Sequence, residues 1–144
     1  MYLACTVRGD RGGLTTARAI ARRLESHGHI VVTTHLLSDD VEATEARLAD
    51  EDVYARDMAW LDRCELLVAE ASGSSYGVGF EVGYVLGRSA ASRQRVLLVY
   101  DAARHAQVSR LASGNTHPHC ARYAYRGLDD LDQFLDRYLA RLRP

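Results

Sequence analysis

Residues 66–83 read LLVAEASGSSYGVGFEVG and carry the clearest structural signal in the chain. Residues 66–69 form a short apolar run, which predicts a buried β-strand. Small residues and hydroxyls follow, and the glycines at positions 77 and 79 allow the backbone to approach a ligand closely. The pattern of residues 77–89 then predicts a helix. A strand, a polar loop and a helix in this order are typical of an α/β fold.

The same alternation extends over the rest of the chain. Helical patterns begin at Leu14, with Gly28 as a stop signal, at Asp52, and at Asp129, which we expect to act as an N-cap. Residues 38–50 are acidic and predict a loop with room for a helical turn. Further strands are predicted at residues 2–7, 30–34, 96–100 and 121–125.

Five strands alternating with helices predict a doubly wound parallel sheet of the flavodoxin-like kind, with strand order 2-1-3-4-5 and helices on both faces. No repeat or linker interrupts the sequence, so residues 1–144 are expected to form one domain. Ligands of such sheets bind at the carboxyl ends of the strands. The loops at residues 6–13 and 70–79 are therefore expected to border the site.

Composition restricts the classes of function. The formal net charge of −1 argues against binding to a nucleic-acid polymer or an anionic membrane, and no apolar run is long enough to span a bilayer. The N-terminus lacks a signal-peptide layout, so a cytoplasmic location is expected. The three cysteines form no C-x-x-C pair, and we expect no metal site. Because the chain has no lysine, arginine, hydroxyls or backbone N–H groups must hold any phosphate.

Two acidic residues are candidates for chemistry near the predicted site. Glu81 lies in the first turns of the helix that follows the glycine loop, where a plain surface carboxylate would also be favoured by the helix N-terminus. Asp57 lies four residues after Val53 and three before Trp60, so helical spacing places it on the apolar stripe. A carboxylate there needs a functional role, access to water or a nearby arginine as partner.

Three segments together resemble the nucleoside 2-deoxyribosyltransferase superfamily and, within it, the 2'-deoxynucleoside 5'-phosphate N-hydrolases: RDMAWL at residues 56–61, LVAE at 67–70 and GVGFEVG at 77–83. The opening YLACTVRG and the Thr34-His35 pair fit the same pattern. The resemblance implies an enzyme that hydrolyses the N-glycosidic bond of (2'-deoxy)nucleoside 5'-monophosphates without a metal or an organic cofactor.

The resemblance also assigns roles to individual residues. Glu81 corresponds to the nucleophile that forms a covalent glycosyl-enzyme, Asp57 to the acid that helps the base to leave, and Tyr2 to a phenol beside the nucleophile. Ser75 stands where many transferases of this superfamily have an acid for the sugar 5'-hydroxyl, and a serine can instead donate to a phosphate. Arg8 corresponds to an arginine that neutralises or covers that phosphate.

The remaining substrate contacts implied by the resemblance are Cys5, Thr6, Val7, Gly9, Arg11, His35, Gly77, Gly79, Ser109 and Leu111. The family's equivalent of Ser109 reaches the phosphate from a partner subunit, which implies a homodimer with shared sites. Three alternatives stay open at this point: a 2-deoxyribosyltransferase that exchanges bases, a CMP-type ribonucleotide N-hydrolase, and a nucleotide sensor without catalysis on the same fold.

Overall fold

The computed structural model describes residues 1–8 and 10–142, which form a parallel β-sheet with helices packed around it. The strands in this part of the chain are β1 (Tyr2–Ala4), β2 (Leu66–Glu70), β3 (Arg95–Asp101) and β4 (Cys120–Tyr125), and they lie side by side in that order. The α-helices are α1 (Leu14–Ser26), α2 (Val41–Glu45), α3 (Asp50–Arg63), α4 (Tyr76–Ser92), α5 (Arg110–Ser113) and α6 (Leu128–Ala140). Two 3₁₀-helices cover Thr34–Leu37 and Ala102–Gln107.

Helices cover both faces of the sheet because successive strand residues point to opposite sides. Leu3 and Val68 belong to the core beneath α1 and α6. Tyr2, Ala4 and Leu67 belong to the core beneath α3 and α4. The register of the sheet therefore directs the side chain of Tyr2 toward α4.

The prediction of a strand at residues 30–34 was wrong. Thr34 already begins a 3₁₀-helix, and the backbone of residues 30–32 bonds to Met1, just before β1: the Val32 N–H donates to Met1 O at 3.1 Å and the Met1 amino group donates to Ile30 O at 2.7 Å. The hydroxyl of Thr33 satisfies both polar groups of Leu3: it accepts from the Leu3 N–H at 3.0 Å and donates to the Leu3 carbonyl at 2.7 Å. A side chain thus replaces the backbone ladder, so the sheet formed by residues 1–8 and 10–142 has four strands, and the predicted order 2-1-3-4-5 is not confirmed.

The predicted end of α1 is confirmed, whereas the predicted N-cap of α6 is wrong. Gly28 has a positive φ of 82° just beyond α1, as its role as a stop signal requires. Asp129 is not the N-cap of α6, because Gly127 occupies that position with a φ of 117° and Asp129 lies in the first turn. No helix among the residues that the structure describes is long and apolar enough to cross a membrane.

Candidate active site

A cavity of about 540 Å³ opens at the carboxyl end of β1, between the N-terminus of α4 and the inner face of α3. Its walls combine acidic, hydroxyl and apolar side chains with the backbone at the start of α4. The lining residues are Cys5, Val7, Arg8, Leu36, Glu45, Asp50, Val53, Asp57, Ser74, Ser75, Tyr76, Gly77, Val78 and Glu81. Both predicted acids therefore face the same space, in the region expected for a ligand of a parallel sheet.

Glu81 is half-buried in the second turn of α4 and is bound by the fully buried Tyr2. The Tyr2 hydroxyl donates to Glu81 Oε1 at 2.5 Å. Burial raises the pKa of Glu81 to about 7; the Tyr2 hydrogen bond opposes this rise, and the negative charge of Asp57 adds to it. Burial and the Glu81 charge raise the pKa of Tyr2, so the phenol keeps its proton and donates.

Asp57 is held by a charged cluster at the other wall of the cavity. Arg56 Nε donates to Asp57 Oδ1 at 2.9 Å, while its two terminal nitrogens bind both oxygens of Glu45 at 2.9 and 3.2 Å. The guanidinium also lies 5.0 Å from the ring centroid of Trp60. Asp57 thus combines two of the possibilities that the sequence left open, since it is paired with an arginine and also faces the cavity.

The opposite end of the cavity is suited to an anion. Ser75 is the N-cap of α4, and its hydroxyl oxygen accepts from the Val78 N–H at 3.3 Å. Because that bond uses the oxygen as acceptor, the Ser75 hydroxyl hydrogen can still be donated to a ligand. The first N–H groups of a helix and its dipole favour negative charge, and the exposed Arg8 also lines the cavity.

Other predicted contacts lie outside this cavity. Thr6 is buried but does not line the cavity. Arg11 donates to the carbonyls of Leu36 and Ser38, each at 3.2 Å. The ring of His35 packs against Trp60, with 5.5 Å between centroids. Gly9 lies outside the described residues.

The predicted contacts Gly79, Ser109 and Leu111 line a second, mainly apolar groove of about 530 Å³ along α4. This groove shares Ser74, Ser75, Tyr76 and Val78 with the first cavity, so the two meet at the anion-binding end. Tyr76 is 101% exposed and Leu111 is 87% exposed beside it.

Sequence reasoning missed Glu45 and the role of Arg56. Glu45 lies in the acidic segment that was predicted as a loop. Nothing in the sequence of that segment distinguishes the carboxylate that points inward from its exposed neighbours. The Glu45 side chain is only 11% exposed. The adjacent Arg56 and Asp57 gave a signal, because an arginine next to an acid on an apolar stripe can also bind a second acid.

Glu70 is a second buried carboxylate, for which the sequence indicated no role. Glu70, which is 2% exposed, ends β2 and accepts hydrogen bonds from the Tyr125 hydroxyl at 3.1 Å, the Ser72 N–H at 3.3 Å and the Ser72 hydroxyl. The Ser72 hydroxyl oxygen also accepts from Asp101 N–H at 2.8 Å. Burial raises the pKa of Glu70. This network fixes the loop that leads from β2 to the N-terminus of α4.

Known proteins are similar to this chain in sequence and in fold. A relative from Thermofilum pendens named as a 2'-deoxynucleoside 5'-phosphate N-hydrolase is 34% identical over 139 residues, which cover 96% of this chain and 94% of the relative. A 5-hydroxymethyl-dUMP N-hydrolase of Danio rerio is 26% identical over 143 residues and covers 99% of this chain, with 96% of its own length matched.

Among solved structures, the Clostridium botulinum CMP N-glycosidase matches with a TM-score of 0.66 at 14% identity, covering 96% of this chain and 99% of that one, and so shares the fold. The family model of the nucleoside 2-deoxyribosyltransferases matches residues 1–130. With the agreement in sequence over nearly its whole length, the chain belongs to the nucleoside 2-deoxyribosyltransferase family.

Proposed function

We propose that this protein hydrolyses the N-glycosidic bond of 2'-deoxynucleoside 5'-monophosphates and releases the free base and 2-deoxyribose 5-phosphate. The observation that carries the proposal is the Tyr2–Glu81 pair, which faces Asp57 in a cavity whose other end suits an anion. The names of the relatives, which include two kinds of nucleotide N-hydrolase, support it.

Glu81 acts as the nucleophile in this proposal. Because Tyr2 occupies Oε1, the second carboxylate oxygen is left to attack C1′ of the sugar, while the electron pair of the C1′–N bond leaves with the base. Asp57 donates a proton to the departing base. Water then attacks C1′, Glu81 leaves as a carboxylate, and the proton released by the water returns to Asp57.

Binding of the 5'-phosphate explains why the substrate is a nucleotide. The Ser75 hydroxyl, the first N–H groups of α4 and Arg8 would meet the phosphate, whereas a carboxylate at position 75 would repel it. The other predicted contacts (Cys5, Thr6, Val7, Arg11, His35, Gly77, Gly79) remain part of this proposal. The three free cysteines suit the reducing cytoplasm, where we propose that the enzyme acts.

The second groove supports a homodimer as the active form. It is mainly apolar, it is lined by the exposed side chains of Tyr76 and Leu111, and it meets the anion-binding end of the cavity. A second copy packed there would cover these side chains and could bring its own Ser109 to the phosphate.

Product analysis tests the proposed reaction. Deoxynucleoside 5'-monophosphates and the matching deoxynucleosides are incubated with the enzyme, with and without a second free base, and all products are separated. We expect free base from the monophosphates alone. Equal turnover of the unphosphorylated compounds would overturn the phosphate assignment, and a new nucleoside would show transfer to the added base instead of hydrolysis.

A further inference from the structure

We propose that Glu45 and Arg56 are positioning residues that control the charge of Asp57: Arg56 fixes the carboxyl in place, and Glu45 offsets the arginine charge so that Asp57 can carry a proton. The inference rests on the proposed function only in assigning Asp57 as the group that protonates the base.

The geometry divides the guanidinium of Arg56 between two carboxylates. Its terminal fork binds Glu45 with two hydrogen bonds, and only Nε, at 2.9 Å, is left for Asp57. The two acids come from different elements, because Glu45 ends α2 while Arg56 and Asp57 lie in α3. The cluster is partly shielded from water, with side-chain exposures of 11% for Glu45, 24% for Arg56 and 23% for Asp57.

The sharing of Arg56 between two carboxylates matters because the arginine alone would hinder proton donation by Asp57. A cation in contact with a carboxyl favours its ionised form, which has no proton to give. Glu45 cancels that cation with a bidentate pair. Asp57 is therefore oriented by a hydrogen bond from a group whose net charge, taken with Glu45, is close to zero.

The other titratable groups that face Asp57 do not remove this dependence. Glu81 on α4 carries negative charge when ionised, and Tyr2 on β1 stays protonated. Several titratable groups interact with Asp57 by a hydrogen bond or by charge, or line the same cavity. They are Arg56, Glu45, Glu81, Tyr2, His35, Asp50 and Arg8. Only Arg56 among them gives Asp57 a hydrogen bond in the part of the chain that the structure describes.

Two substitutions separate an electrostatic role from a merely structural one. Glu45→Gln leaves the arginine charge uncancelled, so the titration midpoint of Asp57 should fall by about one pH unit. Arg56→Met removes the cation, keeps apolar contact with Trp60 and leaves Glu45 ionised, so the midpoint should rise by a similar amount, about one unit. Loss of structure alone would not produce opposite shifts.

The experiment is a pH titration of the whole protein with ¹³C-labelled Asp carboxyls, followed by NMR, in the wild type and both variants. The Asp57 signal is assigned from its loss in Asp57→Asn. Asp62→Asn is the matched control, since Asp62 lies in the same helix but pairs with Arg88 and Tyr84. It should leave the Asp57 midpoint unchanged. Arg56→Gln replaces Arg56→Met if the latter does not fold.

Opposite shifts of the Asp57 midpoint in the two variants support the proposal. Midpoints that move the same way in both variants, or that do not move, overturn it. The titration requires no turnover. A wild-type protein that releases no base while the midpoints move as expected would therefore count against the proposed function alone.

Discussion

Replacing Glu81 by Gln is expected to stabilise the folded protein at pH 8 while it removes turnover. The pKa of this carboxyl is about 7 in the folded protein, against an ordinary value of 4.5, because the folded chain buries it beside Asp57. A carboxyl whose pKa is higher in the folded state favours folding when it is protonated and opposes folding when it is ionised. Glutamine stays neutral at every pH and avoids that cost.

The size of the effect follows from the two pKa values. At about 1.4 kcal/mol for each pH unit between them, the ionised Glu81 lowers the free energy of unfolding by roughly 3 kcal/mol at pH 8. The cost is absent below pH 4.5, grows as the pH rises from 4.5 to 7, and is complete above 7. Gln can still accept the hydrogen bond from Tyr2 through its amide oxygen.

Urea unfolding of the wild type and Glu81→Gln at pH 4, 6 and 8 measures this difference. The variant should be more stable by about 3 kcal/mol at pH 8 and should match the wild type at pH 4. Tyr2→Phe is a control of opposite sign, because it removes the hydrogen bond that favours the ionised carboxylate and should lower stability at pH 8 more than at pH 4. A gap between Glu81→Gln and the wild type that is constant with pH, or that widens toward pH 4, would refute this reasoning.

Three further predictions concern catalysis. Asp57→Asn should lower the single-turnover rate of base release by about 10²–10⁴-fold while nucleotide binding, measured by calorimetry, persists; an unchanged rate would exclude Asp57 as the acid. Ser75→Asp should reverse the preference for monophosphates in a comparison of kcat/KM, because its charge repels the phosphate; a preserved preference would place the phosphate elsewhere. If Ser109→Ala is inactive, mixing it with Glu81→Gln should restore about a quarter of wild-type activity through mixed dimers with one intact site; no recovery after confirmed subunit exchange would show that Ser109 does not act across an interface.

Much of the architecture could be predicted because its signals are local. The apolar run before the glycine loop predicted β2, and the spacing of Val53, Asp57 and Trp60 predicted which face of α3 turns inward. The segment at residues 30–34 misled because its β-branched residues are those of a strand. Whether they pair with β1 depends on Thr33, whose hydroxyl takes the place of ladder hydrogen bonds.

The candidate site likewise has one feature that the sequence could predict and one that it could not. The resemblance predicted a phenol at Tyr2 beside Glu81, and the register of β1 explains the hydrogen bond between them, since alternate residues of the strand face α4. The bidentate pair between Arg56 and Glu45 could not be predicted, because it joins an acidic segment without clear periodicity to an arginine of α3 that lies eleven residues further along the chain. Only the tertiary packing of α2 against that helix selects Glu45 from its acidic neighbours.

The central claim is that Glu81 becomes covalently bound to the sugar during turnover. A fluorinated deoxynucleotide analogue that forms the intermediate faster than water resolves it would trap this state, and mass mapping of the digested protein would locate the added sugar phosphate. We predict a single adduct on the peptide that contains Glu81, and none in Glu81→Gln. An adduct on another residue, or no adduct while the same analogue is being turned over, would contradict the account.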